Sequence, residues 1–309
     1  MAFPTIRQLQ IFATVARMGN FTKAAEALFL SQPAVSIQVK QLEHSIGLPL
    51  YEMVGKNLAL TAAGEEVYRC SQQLQQTLEE MVATINALKG LTGGELKIAV
   101  ATTASYFAIE MLAEFSRLYP EVTIALDVTN RKALISQLQY NQCDLVLMGE
   151  PPVDMPLVSV AIMVNPLVVV ASPAHPFAGQ AHIPLAALGQ QAFVVRERGS
   201  GTRAAIERFF QQQQIPFNTR MAMTSNEAIK HAVMANVGIG IASLHTLDLE
   251  LETGKLVLLP VELFPIHRHW YIVHSDGKRL SPAAERFKRF VLETAKYYKT
   301  ASPNASAPE

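Results

Sequence analysis

Apolar residues near the start of the chain recur at the spacing of short amphipathic helices. The pattern predicts helices over 5–18, 21–28 and 32–46, followed by a small β-hairpin or wing over 50–60. In the third helix one stripe is apolar and predicts the side that faces a core, formed by Val35, Val39, Leu42 and Ile46. Three helices and a wing predict a winged helix-turn-helix, with its helix-turn-helix over 21–40; another small helical bundle is the alternative.

The segment 64–89 has the apolar repeat of a coiled coil rather than that of a globular surface helix. Its apolar positions keep spacings of seven, four and three residues and are Val67, Leu74, Leu78, Met81, Ile85 and Leu88. Because such a seam requires a partner helix, we expect the chain to dimerise through this segment. The alternative is an amphipathic helix that packs on its own chain.

From residue 95 onward strands and helices alternate, which predicts a mostly parallel α/β domain. Ligands of such domains bind beyond the carboxyl ends of the strands. The apolar segment 157–172 is broken by Asn165-Pro166 and is interpreted as two strands and a turn, not a membrane span. The tail 300–309, rich in Ala, Ser and Pro, is predicted to be disordered. Strands are predicted over 95–101, 123–128, 145–149, 167–171, 193–195, 238–242 and 267–274, and helices over 105–118, 131–141, 201–214, 227–235 and 282–299.

Composition favours a protein of two or three domains in a reducing cytosol. The chain has 309 residues, half of them apolar, and a formal net charge of zero. Residues 1–64 hold five basic and three acidic side chains, a weak bias for a DNA-binding segment, so one copy alone should bind DNA poorly. Cys70 and Cys143 form neither a disulfide framework nor a metal motif, and the start of the chain has no signal-peptide pattern.

The N-terminal residues carry a series of specific motifs. They are Leu9-x-x-Phe12, Gly19-Asn20-Phe21-Thr22-x-Ala24-Ala25-x-x-Leu28, Ser31-Gln32-Pro33-Ala34-Val35-Ser36, Leu42-Glu43, Gly47-x-x-Leu50 and Thr61-x-x-Gly64. These motifs resemble those of the LysR-type transcriptional regulators. The resemblance implies a cytoplasmic homotetramer, built as a dimer of dimers, that binds double-stranded promoter DNA and contacts RNA polymerase but no membrane. One departure is Met53, which stands in the wing where members of the family usually carry arginine, leaving Lys56 to anchor the wing.

The resemblance also implies three regions in the chain. The last is a periplasmic-binding-protein-like α/β domain of two subdomains that binds an effector. The expected limits are 1–61 for the winged domain, 62–89 for a linker and dimerisation helix, and 90–309 for the effector domain, with subdomain I at 92–162 and 268–300 and subdomain II at 163–267.

The C-terminal half is most similar to regulators of RuBisCO and Calvin-cycle operons, which implies an activator of carbon-dioxide-fixation genes. Regulators of nitrogen, sulfur or inorganic-carbon genes have similar segments and remain alternatives. From another class, a cytosolic solute-binding protein or a small-molecule enzyme with a helical appendage is disfavoured by the missing signal peptide and the missing catalytic constellation. The similar segments are Thr102-Thr103-Ala104, residues 196–203 and Thr224-Ser225-Asn226-Glu227.

The face of the third predicted helix opposite its apolar stripe supplies most of the candidate DNA contacts. Gln32 can hydrogen-bond a base edge, while Pro33 and Ile37 can contact a thymine methyl. Lys40 suits a phosphate. The alternative is that Ser31 only caps the helix and that Gln32 is only solvated. The candidates are Thr22, Ser31, Gln32, Pro33, Ser36, Ile37, Lys40 and Lys56.

Two predicted helix starts, each following a strand, form a candidate anion site. Free backbone N–H groups, hydroxyls and the helix dipole favour an anion there, and Arg196 and its neighbours add charge suited to phosphate or carboxylate. The alternative is an ordinary helix cap, and the Gly-Ser-Gly-Thr run is not a P-loop. We predict a small phosphorylated or carboxylated metabolite as the effector, without a cofactor or metal, since His267 and His269 lack a third ligand. The candidates are Thr102, Thr103, Ala104, Arg198, Ser200, Gly201, Thr202, Arg203 and Asn226.

Overall fold

A computed structural model of the protein describes residues 3–54, 57–88 and 93–295. The chain divides into two compact units, the first formed mainly by residues before 92 and the second mainly by residues after it. Among the described helices, none combines the length and the hydropathy that a bilayer span requires. The predicted tail 300–309 and the wing residue Lys56 lie outside the described residues. The predicted domain limits stay predictions.

The first unit opens with three helices and a two-stranded antiparallel sheet, which confirms the predicted elements. Each helix begins at a side-chain cap, because Thr5, Asn20 and Ser31 each accept a hydrogen bond from a backbone N–H of the first turn. The first and third helices end at Gly19 and Gly47, which adopt the left-handed conformation. The elements are α1 (Ile6–Met18), α2 (Phe21–Ala27), α3 (Gln32–Ile46), β1 (Tyr51–Val54) and β2 (Asn57–Leu60).

A small core holds these elements together. Val35, Val39 and Leu42 of α3 are completely buried, as predicted, whereas Ile46 is half-buried. They pack in one cluster with Phe12 and other apolar residues of α1 and α2. Burying side chains of this size contributes about 1.5–3 kcal/mol each. This packing fixes which face of α3 points to solvent.

The helix α4 (Ala62–Leu88) follows the wing directly. A side chain at Gly64 would place its Cβ 1.8 Å from the Leu50 carbonyl oxygen, so only glycine allows the first turn to approach the wing this closely. Thr61 supports the turn by donating its hydroxyl to the Pro49 carbonyl over 2.7 Å and accepting from the Gly64 N–H over 3.0 Å. These contacts give the Thr61-x-x-Gly64 motif a structural reason.

Apolar side chains of the predicted seam are exposed along α4. Leu74, Met81 and Ile85 expose 47%, 51% and 42% of their surface. Exposed apolar residues repeating along one helix are typical of a surface that another helix covers. The side chain of Leu88 lies outside the described residues.

The second unit is an α/β structure with two five-stranded sheets. Its elements are β3 (Gly94–Ala101), α5 (Ser105–Leu118), β4 (Val122–Thr129), α6 (Arg131–Gln139), β5 (Leu145–Met148), β6 (Leu157–Val164), β7 (Leu167–Ala171), β8 (Phe193–Arg196), α7 (Gly201–Gln212), β9 (Thr219–Met223), α8 (Asn226–Met234), β10 (Ile239–Ser243), α9 (Asp248–Glu252), β11 (Val257–Leu259), β12 (His269–Ser275) and α10 (Pro282–Thr294).

The strand orders are β4-β3-β5-β12-β6 in the first sheet and β11-β7-β10-β8-β9 in the second. Only half of the described pairings are parallel, so the prediction of mostly parallel sheets is wrong in this respect. The reason is that the chain crosses from the first sheet to the second after β6 and returns before β12. Strands β7 and β12, which follow these crossings, run antiparallel to their neighbours. Strands β9, an exposed edge, and β11, only three residues long, escaped prediction.

Each sheet packs against a separate core that contains aromatic side chains. The two chain crossings connect the sheets. Phe115 and Phe287 meet edge to face at 5.1 Å in the first core, and Phe193 and Phe210 at 5.4 Å in the second. At the crossings the Asn165 N–H donates to the carbonyl of Arg268 over 2.7 Å. The sheets are therefore two subdomains joined by a paired crossing, and their cores are separate.

Candidate functional site

The exposed face of α3 presents the side chains that the sequence nominates for DNA. Gln32, Pro33 and Lys40 are exposed, and Ile37 exposes 54% of its surface. Ser36 is half-buried. The arrangement is the one that a helix needs in order to enter a major groove.

Two further candidates lie at helix starts. The Ser31 hydroxyl accepts from the Ala34 N–H over 3.4 Å, so its capping role is established by geometry while its side chain remains exposed. Thr22 is exposed in the first turn of α2. Contacts of all these residues with DNA stay predictions, and Lys56 lies outside the described residues.

Replacing Gln32 or Lys40 by alanine should separate base recognition from phosphate attraction. Q32A is expected to cost about 1–3 kcal/mol of discrimination between a promoter site and a mismatched site. K40A is expected to weaken binding to both DNAs equally and to lower the salt slope of the binding constant by about one. Fluorescence anisotropy at several salt concentrations measures both effects. If K40A altered sequence preference and left the salt slope unchanged, the two roles would be wrongly assigned.

A cavity lies between the two sheets of the second unit, where three helices begin. Thr102 and Thr103 precede α5, Arg131 opens α6, and Ser200 caps α7 by accepting from the Arg203 N–H over 3.5 Å. These helices follow the carboxyl ends of β3, β4 and β8, the edge where α/β sheets bind ligands. Their N-termini direct partial positive charge toward the cavity.

Three arginines, Arg131, Arg196 and Arg268, line the same cavity. Arg196 is 4% exposed, and Glu197 accepts from its Nε over 2.8 Å and from its Nη2 over 3.1 Å. Arg268 donates from Nη1 to the Gly201 carbonyl over 3.4 Å. Within the described chain the cavity therefore gathers more positive than negative charge.

Two buried donors at this cavity lack a hydrogen-bond partner in the described part of the chain. They are Nη1 of Arg196 and Nε1 of Trp270, whose side chain is 2% exposed. An unpartnered buried donor costs about 1–3 kcal/mol, which an accepting ligand atom would offset. The pKa values of Arg268 and Arg131 are lowered by burial, against a smaller opposing effect of Glu150. The two unpartnered donors and the guanidinium groups of Arg131 and Arg268 are all suited to binding an anion.

The cavity is narrow. Its volume of about 20 Å³ is close to the space that one water molecule needs. A ligand with several heavy atoms therefore needs more space than this arrangement leaves.

The predicted effector residues fall into three groups. Thr102, Thr103, Ser200, Gly201 and Thr202 line the arginine-lined cavity, whereas Ala104 is buried and does not.

Arg198 and Arg203 line an outer cavity of about 520 Å³, which shares Arg131 and Ser200 with the inner one. Arg203 is engaged there, since its Nε donates to Glu207 over 2.7 Å and its Nη1 to the carbonyl of Arg196 over 3.0 Å. Asn226 opens α8 and lines neither cavity. Contact of any of these residues with an effector stays a prediction.

Eight lining residues were not among the predicted ones: Ala101, Asn130, Arg131, Leu134, Met148, Gly149, Arg268 and Trp270. Asn130 and Arg131 directly follow β4, so the rule that ligands bind beyond strand ends could have found them. Gly149 gives space to Arg268, because a Cβ there would lie 2.7 Å from Nη2. Arg268 and Trp270 lie just before and just inside β12, where the chain returns to the first sheet, and no local sequence motif predicts their role.

Comparisons with known proteins agree with this architecture. Residues 6–65 match the family model described as bacterial regulatory helix-turn-helix protein, lysR family, and residues 89–296 match the LysR substrate binding domain. The chain is 51% identical over 291 residues to a RuBisCO operon transcriptional regulator of Allochromatium vinosum, covering 94% of this chain and 96% of that protein.

Two solved structures have similar folds. One is the CcmR regulatory domain of Synechocystis PCC6803 in complex with 2-PG, with 39% identity, a TM-score of 0.64, and coverage of 66% of this chain and 98% of that one. The other is CbnR, a LysR family transcriptional regulator, with 21% identity, a TM-score of 0.66, and coverage of 94% of this chain and 99% of that one. The chain belongs to the LysR family of DNA-binding transcriptional regulators, with a helix-turn-helix domain and a two-sheet α/β effector domain.

Proposed function

We propose that the protein controls carbon-fixation genes and that a small anion carrying phosphate or carboxylate modulates its promoter binding. The observation that carries the proposal is the group of three arginines and two unpartnered donors at three helix N-termini. The relative that is 51% identical is named a RuBisCO operon regulator, and the similar CcmR domain is titled as a complex with 2-PG. The first name supports the proposed target, and the second supports a small-molecule ligand.

The inner cavity suits one compact anionic group. Arg196 and Arg268 can donate charge-assisted hydrogen bonds, while the hydroxyls of Thr102, Ser200 and Thr202 can donate further ones. The outer cavity, which Arg198 and Arg203 line, is a positively charged entrance to the inner cavity. The effector would therefore enter past the outer arginines and bind at the inner ones.

Effector binding would act through the separation of the two subdomains. Two of the contacts that join them are exposed: Arg208 Nη1 lies 3.2 Å from Glu150 Oε2, and the Tyr106 hydroxyl donates to Glu227. Exposed contacts of this kind contribute little each, so a ligand can shift the opening. A ligand that prefers one degree of opening shifts the population toward it.

Pairing of copies would transmit this change to DNA. The exposed seam of α4 would form dimers, and the family architecture implies a dimer of dimers that places four winged domains on pseudo-palindromic sites. Contact with RNA polymerase would complete an activator. The protein would act in the cytoplasm without a cofactor and without catalysing a reaction.

The target can be tested by DNA mobility shift with purified protein. We expect binding to a RuBisCO-operon promoter fragment in preference to nitrogen- or sulfur-gene promoters of the same length, at equal salt concentration. Addition of 2-PG should alter the shifted complex, with inorganic phosphate as the control for a generic anion. Equal affinity for all fragments, or a preference for a nitrogen or sulfur promoter, would refute the carbon-fixation target while leaving family membership intact.

A further inference from the structure

A third cavity lies between the two subdomains and shares no lining residue with the two arginine cavities. Its volume is about 380 Å³. Helix α5 lines it from the first subdomain, and α8 and α9 line it from the second. An occupant would therefore touch both subdomains.

The charge of this cavity is opposite to that of the effector site. Four carboxylates line it, and its one lysine, Lys230, is already fully engaged. Lys230 Nζ lies 2.8 Å from Glu227 Oε1 and 3.0 Å from Glu250 Oε1, and it donates to the Thr246 carbonyl over 3.1 Å. Since an ammonium group has three protons, Lys230 has none left for the other carboxylates, Glu110 and Asp248.

Glu250 adds an observation that points to a ligand. Its side chain is only 9% exposed, and its Oε2 has no hydrogen-bond partner in the described residues, although its Oε1 accepts from Lys230. A buried carboxylate oxygen without a donor is costly. Because Oε2 is closed to solvent in this conformation, a cationic group in the cavity can supply that donor once the carboxylate turns toward it.

The lining favours an organic cation over a metal ion. Within the described chain, no group of three or more His, Cys, Asp or Glu is placed to hold a metal. The ring of Tyr106 faces a cation already, with Lys230 Nζ 5.4 Å from its centroid. The volume also exceeds what a single ion fills. These features suit an ammonium group carried on an aliphatic chain.

We propose that this cavity binds a small aliphatic diamine that bridges the two subdomains. One ammonium group donates to Glu250 Oε2, and the other lies between the exposed carboxylates of Glu110 and Asp248. The site is spatially separate from the anion site and extends the protein's regulation to a second, positively charged metabolite class. Because the occupant contacts both subdomains, it also biases their opening.

Calorimetric titration of the full-length protein with 1,4-diaminobutane tests the proposal. We expect one site per chain in the wild type and an affinity at least about tenfold weaker in the double variant E110Q/D248N, which loses two charged acceptors. The matched control is E252Q, which removes an exposed carboxylate of the same helix α9 that does not line the cavity. Its affinity should equal that of the wild type.

The double variant changes only exposed side chains, so we expect it to fold normally. The variant E250Q is less suitable, because it would disturb the buried ion pair with Lys230. Absence of diamine binding at millimolar concentration would overturn the proposal. Equal affinities of the double variant and E252Q would also overturn it, because the binding would then be non-specific. Equally tight binding of Mg²⁺, lost in the same variant, would contradict the assignment to an organic cation.

Discussion

Substituting lysine for Met81 and Ile85 in α4 is expected to convert dimers into monomers and to weaken promoter binding by at least about 100-fold. Each apolar seam residue should contribute about 1.5–3 kcal/mol per copy when a partner helix covers it, and two facing lysines would add repulsion. Both side chains are about half exposed within their own chain, so the substitutions should not disturb its fold. A monomer would keep only one weakly basic winged domain for DNA.

Sedimentation velocity at micromolar concentration measures the oligomeric state, and anisotropy with a promoter fragment measures affinity. The control Q73K places the same charge on an exposed position of α4 outside the seam. It should remain oligomeric and bind DNA normally. If M81K/I85K stayed dimeric and kept its affinity, the seam would not be the pairing surface.

Replacing Arg268 by methionine is expected to lower the affinity for 2-PG by about 30- to 100-fold. A buried hydrogen bond to a charged group contributes about 1.5–3 kcal/mol, and methionine keeps the volume without the charge. Gly149 leaves room for the Arg268 guanidinium at the cavity, since a Cβ there would lie 2.7 Å from Nη2. R268K should rescue little, since an ammonium group cannot donate in two fixed directions.

Two further variants serve as controls for R268M. R289M removes an exposed arginine of α10 that does not line the cavity and should bind 2-PG like the wild type. T202V removes one hydroxyl donor from the cavity and should weaken binding less than R268M does, because the positive charge of the cavity is kept. Unchanged affinity in folded R268M would place the anion elsewhere.

Local patterns were sufficient for most of the elements, although not for β9 and β11, and for six of the fourteen residues that line the inner cavity. The stripe of α3 predicted its buried face because helical periodicity reports burial directly. The helix starts at Thr102 and Ser200 were recognisable because strand-to-helix junctions carry hydroxyl and glycine residues.

Arg268 and Trp270 could not be found in this way. They reach the cavity through the second crossing between the sheets, and a contact made by two distant parts of the chain leaves no local pattern. The same crossings explain why β7 and β12 are antiparallel to their neighbours. Arg203 is the opposite case, a residue that the local pattern nominated but that does not line the inner cavity. It lies near Ser200 in the sequence, but its guanidinium donates to Glu207 and to the Arg196 carbonyl.

Anion binding at the arginine-lined cavity should be coupled to promoter binding. The most direct test titrates 2-PG into the full-length protein with and without a saturating promoter fragment, for the wild type and R268M. We predict that DNA changes the wild-type affinity for 2-PG by about 5- to 150-fold, that 2-PG changes the DNA affinity by the same factor, and that R268M loses both effects. Identical 2-PG affinities with and without DNA in the wild type would contradict the claim.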